Sequence, residues 1–157
     1  LEYTFPAVGY PAGENLENVY KVELKARNGS FVFALPKEYQ FNLKEYRYLK
    51  FKIYTPAKNA FEGAYAPYQR LWPRVMNRMW SFADNSAFGQ ELWNMDHIWI
   101  ADADLNKWTD ITIDLNAAVN RHNRVIVLNI GGEPSVNPFT PPVPLIYYFA
   151  NIRFSKN

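Results

Sequence analysis

The chain contains no cysteine, which closes both the disulfide framework and the thiolate metal site. Histidine is nearly as scarce, with His97 and His122 the two examples in 157 residues. No Gly-x-Ser-x-Gly elbow and no zincin helix motif accompanies them, so Ser-His-Asp and zincin chemistry are not expected. A surplus of one charge is also missing: 17 basic residues against 15 acidic leave a net charge of +2. Non-specific nucleic-acid binding needs a stronger basic field, and no nucleic-acid partner is expected. No apolar run approaches the roughly 18 to 20 residues that cross a bilayer, so no transmembrane segment is expected. The opening residues carry no signal-peptide pattern. A chain starting at Leu1 reads as a mature or excised fragment, which leaves a signal or lipid anchor upstream open.

What the chain has in excess is aromatic. Phe, Tyr and Trp make up 17% of the residues, with 11 Tyr and 11 Phe, more than core filling needs, so part of that surplus is expected at a surface. The length fits one core, and residues 1–157 are read as a single domain. Tyr20, Val22, Leu24 and Ala26 alternate with Lys21, Glu23, Lys25 and Arg27, the period-2 pattern of a strand with one wet face. Asn28-Gly29 follows and predicts a tight hairpin turn into a returning strand from Phe31 to Leu35. The same turn accounts for the Asn28-Gly29-Ser30 glycosylation-like triplet. Leu49, Phe51 and Ile53 alternate with Tyr48, Lys50, Lys52 and Tyr54 in a strand ending at Thr55-Pro56. Further strands are predicted over 98–101, 109–115, 125–130 and 146–154, with 125–130 central because it is apolar on both faces apart from Asn129. Residues 65–82 fit either a short helix or a strand, and the neighbouring strands favour the strand. Residues 131–144 hold five prolines, which make a stiff segment unable to join a ladder. It serves equally as a preorganised binding loop or as edge protection. Short strands separated by Pro, Gly and Asn clusters, with almost no helical periodicity, indicate an all-β antiparallel sandwich or barrel.

The most unusual stretch gathers Tyr65, Tyr68, Trp72, Trp80 and Trp93 with Arg70, Arg74 and Arg78. Sugars present flat C–H faces that pack on aromatic rings, and hydroxyls that bond to Arg, Asn, Asp and Gln. A planar guanidinium also holds a uronic carboxylate through paired bonds. The mixture is what carbohydrate recognition requires, although Trp72 and Trp80 also read as core anchors. A glycosidase needs two facing carboxylates, and Asp84, Glu91, Asp96, Asp102, Asp104, Asp110 and Asp114 offer many pairs without selecting one. Asp102, Asp104 and Asn106 open like a calcium loop, but Lys107 and Ile113 stand where Gly and Glu belong, so a turn between strands is expected.

Trp108-Thr109-Asp110-Ile111-Thr112-Ile113-Asp114-Leu115 and Tyr147-Tyr148-Phe149-Ala150-Asn151-Ile152-Arg153-Phe154 carry a resemblance. The first is similar to a "W-x-x-I-x-I-D-L" strand and the second to a closing "Y-Y-x-D-N-I-R-F" strand. Both belong to jelly-roll carbohydrate-binding modules and related galactose-binding-like domains of secreted glycan-degrading systems, especially those of Bacteroidetes. Tyr46-Arg47-Tyr48-Leu49-Lys50-Phe51-Lys52-Ile53-Tyr54 fits that family's central strand, so the resemblance frames residues 20–157. It implies a two-sheet antiparallel β-sandwich of the jelly-roll kind in a secreted or cell-surface protein. Such a domain holds a polysaccharide or oligosaccharide for flanking domains and has no catalytic residue. In the family an Asp beside the closing-strand Asn helps hold a structural calcium. Ala150 stands in its place, so no cofactor is expected, and Glu17 and Glu23 are the carboxylates left for such an ion. Two other roles stay open: a structural or protein-interaction domain using the same aromatics, and a small hydrolase or lyase.

Overall fold

In β4 (Tyr48–Tyr54) Leu49, Phe51 and Ile53 are buried while the four residues between and beside them stay half-exposed. Alternating sequence has become alternating burial, as a strand with one wet face requires. β2 (Tyr20–Leu24) buries Val22 and Leu24, and β8 (Trp108–Asp114) buries Ile111 and Ile113. The computed structural model describes residues 2–25, 28–34, 39, 41–57, 69–76, 92–119, 125–131 and 144–157, with the backbone alone described at 28, 34, 76, 92–94, 125 and 131.

The other strands are β1 (Glu2–Thr4), β3 (Asn28–Ala34), β5 (Arg70–Met76), β6 (Leu92–Asn94), β7 (Ile98–Trp99), β9 (Val125–Gly131) and β10 (Leu145–Ser155). They form two sheets, ordered β1-β2-β10-β4-β8 and β3-β9-β5-β6, with β7 also pairing β5. Every pairing is antiparallel. From β2 onward the chain changes sheet at each connection except within β5 to β7, which is the interleaving of a jelly roll. The domain is therefore an all-β, two-sheet antiparallel sandwich. β9 lies between β3 and β5, the central position that its apolar run predicts.

The hairpin expected at Asn28-Gly29 does not form. β2 and β3 belong to different sheets, and Asn28 and Gly29 are strand residues paired with Gly131 and Ile130 of β9. The physical reason lies in the core: Val22 and Leu24 on one sheet and Phe31 on the other bury against each other across the sandwich instead of side by side. Residues 70–76 of the ambiguous 65–82 segment are strand. The rest of that segment, like 132–143 of the proline-rich segment, lies outside the described residues.

Rings join the two sheets. Phe31 of β3 stacks across the sandwich on Phe149 of β10 with centroids 5.2 Å apart, and within the first sheet Phe51 of β4 lies 5.5 Å from Phe149. Each such side chain fully removed from water contributes about 1.5–3 kcal/mol. Outside the first sheet a second, smaller cluster forms, where Ala7, Leu16 and Val19 pack on Trp108, Tyr148 and Ala150. Trp108 Nε1 donates to the Pro11 carbonyl at 3.0 Å. Gly13 permits that approach, because a Cβ there would lie 2.5 Å from Trp108 Cδ1. Asn151, at φ 56°, fastens the same segment: its Oδ1 accepts from Glu17 N at 2.6 Å and its Nδ2 donates to the Asn15 carbonyl at 2.7 Å. The Asp102, Asp104 and Asn106 side chains serve the turn expected there. Asp102 accepts from Gln69 Nε2 at 2.8 Å, Asp104 pairs with Lys107 at 3.1 Å, and Asn106 accepts from the Tyr54 hydroxyl at 2.6 Å.

Candidate functional site

Proline in a strand interior has no N–H to give a neighbour. Pro73 sits in the middle of β5, and at that point the partner on one side divides in two. β6 pairs Arg74 with Asn94, β7 pairs Leu71 with Ile98, and residues 95–97 span the interval opposite Trp72 and Pro73. Three residues thus oppose two, the arithmetic of a bulge. The Pro73 carbonyl still accepts from Met95 N at 3.0 Å, which fixes where the bulge sits.

The bulge carries His97 to the outer face of β5. Leu71, Pro73 and Val75 face the core, so Arg70, Trp72 and Arg74 share the other face. The His97 ring meets Trp72 edge-on at 4.8 Å and lies 6.3 Å from Trp99. Arg74 Cζ lies 3.8 Å from the centre of the Trp72 ring, a stacked cation–π contact. Arg70 Cζ is 5.7 Å from the ring centres of both Trp72 and Trp99. Arg70 Nη1 also stands 3.4 Å from His97 Nδ1. Arginine offers donors alone, so Nδ1 is the acceptor side of this contact. Across β5, Trp72 pairs in register with Asn129, and Asn129 Oδ1 accepts from the Ser30 hydroxyl at 2.8 Å. The result is a row of polar groups and rings running over β3, β9, β5 and the bulge. Trp99 is its open end, with 56% of its surface exposed.

A cavity of about 360 Å³ adjoins the row where the sandwich edge opens between the bulge and β8, lined by Met95, Asp96, His97, Ile98, Thr112, Ile113, Asp114 and Ala117. His97 belongs to both features. Asp114 is not a free acid there: Arg47 Nε donates to it at 2.7 Å, and the guanidinium holds its carboxyl below the ordinary value. Among the described residues, no cluster of three or more His, Asp or Glu forms a metal cage.

Of the residues the sequence nominated, Arg70, Trp72 and Arg74 come together on one face. Trp93 is in β6, where its backbone is the register partner of Val75. Its side chain, and all of Tyr65, Tyr68, Arg78 and Trp80, lie outside the described residues. Sequence reasoning missed Trp99, His97, Asn129 and Ser30. Pro73 inside a strand pattern was the available signal for the bulge; nothing local marks the pairing that sets Trp99 beside Arg70.

No protein-family model and no curated protein sequence matches the chain. Among solved structures it is similar to one described as carbohydrate-binding modules of promiscuous specificity from the β-sandwich superfamily, at 13% identity and a TM-score of 0.49 over 87% of this chain. It is also similar to the glycoside hydrolase domain of Endo-D from Streptococcus pneumoniae R6, at 9% identity and a TM-score of 0.45 over 88% of this chain. The chain spans 46% of the first structure and 18% of the second. At these values the case for function rests on the side chains described above.

Proposed function

We propose that this chain is a non-catalytic carbohydrate-binding module that holds a polysaccharide or oligosaccharide on the outer face of the β3-β9-β5-β6 sheet. The observation that carries this reading is Trp99: a large ring 56% exposed, backed by the Arg70 guanidinium and followed by His97, Trp72 and Asn129 in one row. A sugar ring packs its C–H face on the indole, and the neighbouring donors and acceptors meet its hydroxyls. The adjoining cavity supplies the Asp96 and Thr112 oxygens at one end. A shallow, solvated site of this kind gives a dissociation constant in the micromolar to millimolar range, roughly −8 to −4 kcal/mol.

The absence of catalysis is part of the proposal. A glycosidase needs a carboxylic acid that keeps its proton until the leaving group takes it. Asp96 and Asp114 share the cavity, but Arg47 favours the ionised form of Asp114. That suits a hydroxyl acceptor and not a proton donor. On this reading the domain belongs to a secreted or cell-surface glycan-utilisation protein and presents polymer to flanking domains.

Affinity electrophoresis against a panel of neutral and acidic polysaccharides tests the reading. Retardation by at least one polymer that Trp99→Ala reduces, with the fold kept, is the expected result. A protein-interaction role is favoured by a different surface, where Tyr3, Phe5, Val8 and Tyr10 are all exposed within the first ten residues. Concentration-dependent self-association that Tyr3→Ser and Val8→Ser abolish, together with no retardation on any polymer, would shift the function to that surface.

A further inference from the structure

All three bulge residues opposite Trp72 and Pro73 border the cavity at the sandwich edge. Met95, Asp96 and His97 line it on one side, and Thr112 and Asp114 of β8 line it on the other. The bulge side is pinned where Met95 N donates to the Pro73 carbonyl at 3.0 Å. At about 360 Å³ the cavity lies at the small end of ligand sites, which run roughly 300–1,000 Å³, so it suits a sugar unit and not a run of polymer. Met95, Ile98 and Ile113 give it an apolar part for the C–H face of a ring. Asp96, Thr112 and Asp114 give it oxygens for hydroxyls. The two carboxylates differ. Asp114 accepts from Arg47 Nε at 2.7 Å and from Asn116 N at 2.9 Å, so the protein itself holds that group. Among the described residues, no side chain pairs with the exposed Asp96 carboxylate or with the Thr112 hydroxyl.

Resting on the carbohydrate reading, we propose that this cavity is a second sugar subsite beside the Trp99 platform, and that Asp96 makes it selective for a neutral sugar residue. Hydroxyls donate to a carboxylate in charge-assisted bonds, roughly twice as strong as neutral ones. A uronic carboxylate or a sulfate in the same space would stand within about 10 Å of Asp96, one screening length in 0.1 M salt, and would be repelled. His97 joins the two subsites: it lines the cavity, and its ring centre lies 6.3 Å from that of Trp99. One bound glycan therefore spans both, with one ring on the indole and a neighbouring one in the cavity.

Polymer pairs that differ in charge alone test this: homogalacturonan, alginate and a glucuronan, each beside its carboxyl-reduced, neutral form. Titration calorimetry of the whole chain gives the affinities. Methyl spectra of the chain labelled at methionine report on Met95, with Met95→Leu for assignment. Asp96→Asn, Thr112→Val and Trp99→Ala are run in parallel, and melting temperature checks folding, which should not change because Asp96 and Thr112 are exposed. The expected result is that at least one neutral polymer binds about 10-fold or more tighter than its acidic parent and moves the Met95 methyl signal. Asp96→Asn should weaken that binding by about 10-fold and narrow the preference, since the charge goes while the shape stays. Thr112→Val should weaken it by about 3- to 10-fold, the range for one neutral hydrogen bond. Acidic forms bound as tightly as neutral ones overturn the inference, as does a preference that Asp96→Asn leaves intact. Binding that Trp99→Ala weakens while the Met95 signal stays still also overturns it and leaves the carbohydrate reading standing. No binding to any polymer overturns the carbohydrate reading, and the inference with it.

Discussion

Trp108 and Trp99 both stand on outer strand faces, one on each sheet, with cations nearby. Over Trp108 the chain lays its own residues 7–19: the indole N–H reaches the Pro11 carbonyl, and Gly13 leaves room for the ring. Across the same sheet, cations meet carboxylates. Lys52 meets Asp110 at 3.0 Å, Lys21 meets Glu23 at 3.1 Å, Lys25 meets Glu2 at 2.5 Å, and Arg47 forks onto Asp114. At the other site the Arg70 guanidinium lies 5.7 Å from the Trp99 ring centre, and that indole is left open to water. The two faces share a composition, and the arrangement separates them. We propose that such a face binds ligand where its ring stays exposed, as Trp99 does at 56%, and packs where residues 7–19 lie over it, as at Trp108.

Breaking the covered face should cost the most. Trp108→Ala removes the ring that residues 7–19 pack on, and about 2–4 kcal/mol of stability should go with it. Chemical denaturation will measure that loss, and polysaccharide retention below the melting point should be unchanged. Asn151→Ala comes next. It deletes two hydrogen bonds to the Asn15 and Glu17 backbone and puts Ala at φ 56°, for a loss of about 1–3 kcal/mol, again without effect on binding. Trp99→Ala inverts this pattern. Its exposed ring contributes little to folding, so stability should stay within about 0.5 kcal/mol of the parent, while glycan binding weakens by about 10- to 100-fold.

The smallest effect belongs to the Arg47–Asp114 pair. Hydrogen bonding to Arg47 lowers the Asp114 pKa from its ordinary 3.8. A depressed carboxyl contributes stability that is complete above the unfolded value and is lost as pH falls through the folded one. Melting temperature followed from neutral to strongly acidic pH should therefore decline slightly less for Asp114→Asn than for the parent. Because both side chains are largely exposed, the difference is small.

The strands over residues 48–54, 109–115 and 125–130 were legible because a period-2 pattern depends on the solvent and the core, not on which strand lies alongside. Asn28-Gly29 misled for the complementary reason. The dipeptide permits a tight turn, but its use depends on whether Val22, Leu24 and Phe31 are best buried side by side or face to face, and the sandwich puts them face to face. The same division runs through the site. Arg70, Trp72 and Arg74 fall on one strand face by spacing alone, so their association was readable. Trp99 and His97 join them through the β5–β7 register and the bulge at Pro73, and register is a tertiary property.

Five tryptophans give five indole N–H signals, and proton–nitrogen correlation spectra can follow each one while a glycan that the chain retains is titrated in, with assignments from single Trp→Phe variants. The account predicts that the Trp99 signal moves most, that Trp72 follows, and that Trp108, bonded to Pro11, does not move. Movement of Trp108 with Trp99 and Trp72 unchanged would place the ligand on the opposite sheet and contradict the account.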